Sequence, residues 1–158
     1  MKKVISRILI LTTILLVFGC ATQVGKATYP KATEGFVPKK IYAASFDPAW
    51  NSIGQALEEN RIVIASSDKA SGRVTTDYIA GPSELYAVGL GGGTVYRYKY
   101  NISARAEGEK TKITIFCTLE YSYSNSDVAK PFVDYGKENP QLVTSLENWL
   151  YEQIEKKL

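Results

Sequence analysis

Hydrophobic and polar positions along this chain change period several times, and each change marks an element. Tyr96, Tyr98, Tyr100, Ile102 and Ala104 alternate with Arg97, Lys99, Asn101, Ser103 and Arg105. A period of two predicts a long strand, here with one aromatic face and one basic face. The turn Glu107-Gly108-Glu109 follows. Beyond it, Ile113, Ile115, Cys117, Leu119, Tyr121 and Tyr123 alternate with Thr114, Phe116, Thr118, Glu120 and Ser122. The two runs predict an antiparallel hairpin with one buried and one wet face.

Earlier in the chain, Trp50, Ile53 and Leu57 recur at three- and four-residue spacing, which predicts an amphipathic helix running to Glu59. Asp47-Pro48 suits its start, because Asp47 can accept from free N–H groups and Pro48 presets φ. Ile41–Ala44 reads as a short strand. Ile62–Ala65 and Val74–Tyr78 flank the turn Asp68–Gly72 and predict another hairpin. Asn139-Pro140 then repeats the cap-plus-proline pattern, with Val143, Leu146, Leu150 and Ile154 on one stripe and Trp149 beside it. Glu147 near the start, Lys156 and Lys157 at the end and the Glu152/Lys156 spacing suit the helix dipole and the i,i+4 rule. The predicted fold class is α+β: an antiparallel sheet in β-α-β-β-β-β-α order, with two helices packed on one face.

The first twenty residues follow neither period. Lys2, Lys3 and Arg7 precede an apolar run, Ile8 to Gly19, interrupted only by Thr12 and Thr13. A spanning helix needs about 20 apolar residues and this run has about a dozen, which predicts a secretory signal. Leu16-Val17-Phe18-Gly19-Cys20 resembles the lipobox of bacterial lipoproteins. The resemblance implies cleavage between Gly19 and Cys20 and a diacylglycerol thioether on Cys20, with residues 1–19 as the signal peptide. Several acyl chains at about 0.8 kcal/mol per buried CH₂ make a lasting anchor without a span. Ala21, where a retention signal would place Asp, implies the outer membrane, facing the periplasm. Residues 20–39 then read as the lipidated N-terminus and a flexible tether of roughly 25 Å reach, or alternatively as an edge segment packed on the domain. Residues 40–158 form the expected periplasmic domain.

The signal changes what the charge means. The chain carries 19 basic and 16 acidic residues, a formal +3, but Lys2, Lys3 and Arg7 lie in the segment to be removed. No basic excess remains to suggest nucleic acid. There is no histidine, which excludes Ser-His-Asp and Cys-His catalysis and His-ligated metals. Of two cysteines, Cys20 goes to lipid and Cys117 sits on the apolar side of its strand, as a small hydrophobe. Gly89-Leu90-Gly91-Gly92-Gly93-Thr94 lacks the lysine and the following helix of a phosphate loop and reads as a connector. Neither Asp77 with Glu84 nor Glu107 with Glu109 is forced into an acid–base pair by spacing. No cofactor or metal is expected beyond the covalent lipid on Cys20.

Residues 44–76, ASFDPAWNSIGQALEENRIVIASSDKASGRVTT, resemble the helix-plus-hairpin phrase of periplasmic lipoprotein domains related to BamC, matching it at Trp50, Ile64, Ser66, Asp68, Ser71 and Gly72. The resemblance implies a helix-grip domain; together with the lipid address and the absence of catalytic groups it leads to the expectation of a non-enzymatic, BamC-like accessory or scaffold role, binding another envelope protein. Arg97, Lys99 and Arg105 are the candidate partner surface, although a solvated strand face looks the same. Tyr96, Tyr98 and Tyr100 read as core beneath the helices or, in the alternative reading, as a groove for a small ligand or glycan.

Overall fold

The long hairpin organises the structure, a computed structural model that describes residues 39–85, 92–125 and 128–158. The signal, the Gly19/Cys20 cleavage and lipidation site, the tether up to residue 38 and Gly89–Gly91 fall outside the described residues. β5 (Gly92–Glu107) and β6 (Lys110–Asn125) pair in unbroken antiparallel register from Gly92↔Asn125 to Glu107↔Lys110. Gly108 opens the two-residue loop at φ +67°, a conformation that would strain a residue with a Cβ.

Around the hairpin stand β1 (Lys40–Tyr42), α1 (Phe46–Glu59), β2 (Ile64–Asp68), β3 (Arg73–Thr76), β4 (Ile79–Leu85), β7 (Val128–Ala129), β8 (Val133–Asp134) and α2 (Pro140–Glu155). The sheet runs β1-β6-β5-β3-β2, with β4 also on β5 and both β7 and β8 on β6; every pairing is antiparallel. The α+β class is therefore as expected, but the order carries three additional strands. β4 was hidden by Gly81-Pro82, which reads as a breaker; the strand absorbs it with a register shift between Ala80 and Ser83. β7 and β8 are too short to show a period.

Local boundaries also moved. α1 starts at Phe46 with Ser45 as N-cap, so Asp47 lies in the first turn rather than at the cap. Ile62 completes the α1 core at 8% exposure, and the strand that follows begins only at Ile64; β2 is exposed throughout as an edge strand. Tyr78 lies past the end of β3. α2 begins as expected, with the Asn139 side chain accepting from the Leu142 N–H at 3.2 Å.

α1 and α2 cover the face of β5 and β6 that carries Tyr98, Tyr100, Ile102, Ala104, Ile113, Ile115 and Leu119. Ile53, Leu57, Leu146, Leu150 and Ile154 meet these side chains with no solvent exposure. Burial of each such side chain contributes about 1.5–3 kcal/mol.

One edge is closed in an unusual way. β1 pairs with β6 at Thr111–Ile113 and β8 at Glu120–Tyr121, leaving the intervening stretch without a neighbouring strand. α2 fills the gap with side chains. The Tyr151 hydroxyl accepts from the Ile115 N–H at 3.0 Å and donates to the Ile113 carbonyl at 3.3 Å, while the Glu147 carboxylate accepts from the Cys117 N–H at 2.9 Å. Two residues along a strand advance about 6.7 Å, and four along a helix about 6 Å. An i,i+4 pair thus matches alternate strand amides. Glu147, expected to serve the helix dipole, instead points inward at 6% exposure. Burial raises its pKa, partly opposed by the Cys117 N–H.

Candidate functional site

Two regions bring chemistry-bearing side chains together: the uncovered face of the sheet and a cavity beside α2. The register fixes the first. Across the open face, one row reads Ile41, Lys112, Arg105 and the next Thr114, Ser103, Arg73, Asp68; the third reads Phe116, Asn101, Thr75, Ser66. Phe116 stands in the middle of this face 60% exposed, and Ile41 is 55% exposed. Single exposed apolar side chains are common on protein surfaces, so what sets Phe116 apart is its place beside basic and hydroxyl side chains on the uncovered face.

The three basic residues singled out from sequence do not form one uniform surface. Arg97 is immobilised: its guanidinium lies 3.9 Å from the Tyr78 ring centroid and 3.7 Å from that of Phe132. It also pairs with Glu120 at 2.7 Å, and Tyr78 donates its hydroxyl to the same carboxylate at 2.9 Å. This cluster spends the charge of Arg97 locally. Lys99 leans over Tyr78 at 4.8 Å. Arg105 is exposed and has no ionic partner among the described residues.

Beside Arg105 the open face dips into a cavity of about 260 Å³ lined by Ser103, Arg105, Lys112, Thr114 and Phe116. Lys112 reaches Glu107 at 3.3 Å. Sequence reasoning placed Thr114 and Phe116 on this face but passed over Lys112, which the short Gly108 loop sets opposite Arg105. The signal was the loop length, which converts two separate alternations into cross-strand pairs.

The covered face answers the groove reading differently. Tyr100 is fully buried and donates its hydroxyl to the Leu146 carbonyl at 3.0 Å; Tyr98 is 8% exposed. Burial raises both phenol pKa values. Tyr96 joins Tyr121 and Tyr135 in a three-ring cluster with centroids 5.1–6.4 Å apart. The ladder is thus packed under the helices at Tyr98 and Tyr100. A cavity of about 370 Å³ opens farther along, between β6 and the start of α2, lined by Cys117, Leu119, Lys137, Val143 and Glu147 among others. Cys117 is half-buried there, and burial together with the Glu147 carboxylate pushes its thiol pKa far up, the opposite of a nucleophile's requirement.

Asp77 and Glu84 fall on opposite sides of the start of β4, and Glu107 is engaged with Lys112. Among the described residues no group of His, Cys, Asp or Glu side chains could hold a metal ion, and no helix is long and apolar enough to cross a membrane.

No family model matches the chain, and no curated protein sequence matches it. Among solved structures, the chain is similar to a DUF4468 family protein from Bacteroides ovatus, at 14% identity over 85% of each chain and a TM-score of 0.38.

Proposed function

We propose that this protein is a lipid-anchored envelope lipoprotein whose folded domain binds another envelope protein through the open face of its sheet, as a non-enzymatic accessory or scaffold subunit of the BamC-like, helix-grip kind. Cys20 carries the lipid, and the tether holds the domain in the periplasm beside the outer membrane. The observation that supports the reading best is the asymmetry of the sheet: one face is sealed by two helices, while the other leaves Phe116 60% exposed. Nothing about Cys117 or Glu147 favours catalysis. The thiol is held protonated by burial, and the carboxylate is engaged by a strand amide.

The test places a photo-crosslinking amino acid at position 116 of the full chain in intact cells. A discrete protein adduct at 116, absent when the same group is placed at the helix position Gln55, is the expected result. Labelling of many proteins alike from both positions would refute the reading.

A second reading rests on the cavity of about 370 Å³ between β6 and α2, a volume within the range of small-molecule sites. Here a small ligand or glycan fragment is held beside Cys117 and Glu147 instead of at the Tyr ladder. Native mass spectrometry of the purified chain checks it, by a bound mass that Val143→Trp removes.

A further inference from the structure

The row containing Arg105 breaks a rule of sheet construction. Arg105 and Lys112 are direct cross-strand partners on the same face, and like charges in that position repel. Glu107 neutralises Lys112 at 3.3 Å, but Arg105 has no counter-charge among the described residues. Arg73 stands beside Ser103 in the next row but faces the Asp68 carboxylate as its own cross-strand partner, so Arg105 is the cation left uncompensated. Between these groups lies the cavity of about 260 Å³, into which the strand register also brings the Ser103 and Thr114 hydroxyls, themselves a cross-strand pair. Neither hydroxyl bonds to another described residue. The cavity therefore gathers two cationic donors and two hydroxyl donors, with the Phe116 ring as an apolar wall.

The charge distribution of the domain points the same way. Every charged residue within α1 and α2 is acidic, whereas the open face carries Arg73, Arg97, Lys99, Arg105, Lys110 and Lys112 against Asp68, Glu107 and Glu120, an excess of cations. The domain is electrically two-sided although its sequence is nearly balanced, and the cationic side is the one left uncovered.

We propose that the Arg105–Lys112 cavity is a subsite for a carboxylate, presented by an acidic segment of the partner protein that also lays an apolar side chain on Phe116. The proposal rests on the docking reading above and specifies its chemistry. A guanidinium and hydroxyls on one side of a planar anion provide charge-assisted, directional bonds. Cations retained against their mutual repulsion mark a place where local consistency has been given up for binding.

The test uses the full chain in intact cells, with the photo-crosslinker at position 116 and either Arg105→Gln or Lys112→Gln added. Three results are expected together. The crosslinked peptide of the partner contains Asp or Glu within two residues of the attachment point; adduct yield falls at least tenfold with Arg105→Gln; and changing that acidic residue to Lys restores yield to an Arg105→Glu chain. The Tm of purified Arg105→Gln should be equal to or above that of the parent, since substitution removes repulsion and no contact, which excludes misfolding as the cause. A protein adduct that ignores both charge changes overturns the carboxylate subsite while leaving the docking reading intact. An adduct with lipid alone, or with a second copy of this chain, overturns both.

Discussion

Removal of one oxygen atom tests how the β6 edge is held. Tyr151→Phe keeps the ring in a fully buried position and deletes only the hydroxyl that accepts from Ile115 N–H and donates to Ile113 C=O. The amide has no strand beside it and belongs to a residue 1% exposed. Leaving it unsatisfied costs about 1–3 kcal/mol, and the carbonyl, which keeps a second lone pair for other bonds, adds a fraction of that. The expected total is about 1.5–3 kcal/mol, a sizeable part of the 5–15 kcal/mol typical of a domain, and a Tm lower by about 5–12 °C. Tyr100→Phe is the control: its hydroxyl donates to the Leu146 carbonyl, so no N–H is orphaned and the loss should be about 0.5–1.5 kcal/mol. Urea unfolding of both variants gives the two values, and hydrogen exchange locates the effect, with Ile115 losing protection in Tyr151→Phe only. A Tyr151→Phe chain within 0.5 kcal/mol of the parent, with Ile115 still protected, would refute the account of the helix as a substitute strand.

Three other outcomes follow from the same geometry. The folded-state pKa of Glu147 is raised, so its contribution to stability is fully present below the unfolded carboxylate pKa of about 4.5 and is lost as pH rises through the folded value. Glu147→Gln should therefore flatten that decline in paired urea titrations between pH 4 and pH 8, and an unchanged slope would show that the side chain titrates as if in water. Gly72→Ala should destabilise by at least about 2 kcal/mol, because φ is +65° and a Cβ there runs into the Ala104 carbonyl oxygen; equilibrium unfolding measures it. Cys20→Ala should abolish palmitate labelling and release the protein from membranes or leave it unprocessed, and retained label would remove the lipid anchor from the reading.

Legibility in the sequence followed the length over which a pattern repeats. The β5/β6 alternation ran long enough that side-chain faces could be read from Tyr96 to Tyr123, and the Leu146-Leu150-Ile154 stripe with its Asn139 cap was equally plain. β4 was missed because a proline that breaks a central strand is tolerated where a bulge intervenes, and β8 because two residues have no period. Glu147 was misassigned for a different reason. A carboxylate in a helix is nearly always solvated, and only the three-dimensional gap between β1 and β8 creates a buried donor for it. The Arg105–Lys112 cavity was half-visible: each residue stood on its own strand, and the pairing became explicit only with the register. Arg97 carried the same weight as Arg105 in the sequence, yet the Tyr78 and Phe132 rings, far apart in the chain, take it out of circulation.

The bonding between α2 and β6 also imposes a timetable on biogenesis. α2 follows every strand in the chain, and β1, which precedes the other strands, pairs with β6. A chain that folds as it emerges N-terminus first can close the hairpin while Ile115 and Cys117 still offer bare amides beside an uncovered apolar face. That interval exposes an adhesive edge, and the slow, non-local pairings of such a topology lengthen it. Truncation within α2 should consequently be read as clumping and degradation during folding rather than as simple loss of a helix. The helix that arrives after every one of these strands is the one that makes them safe to leave unattended.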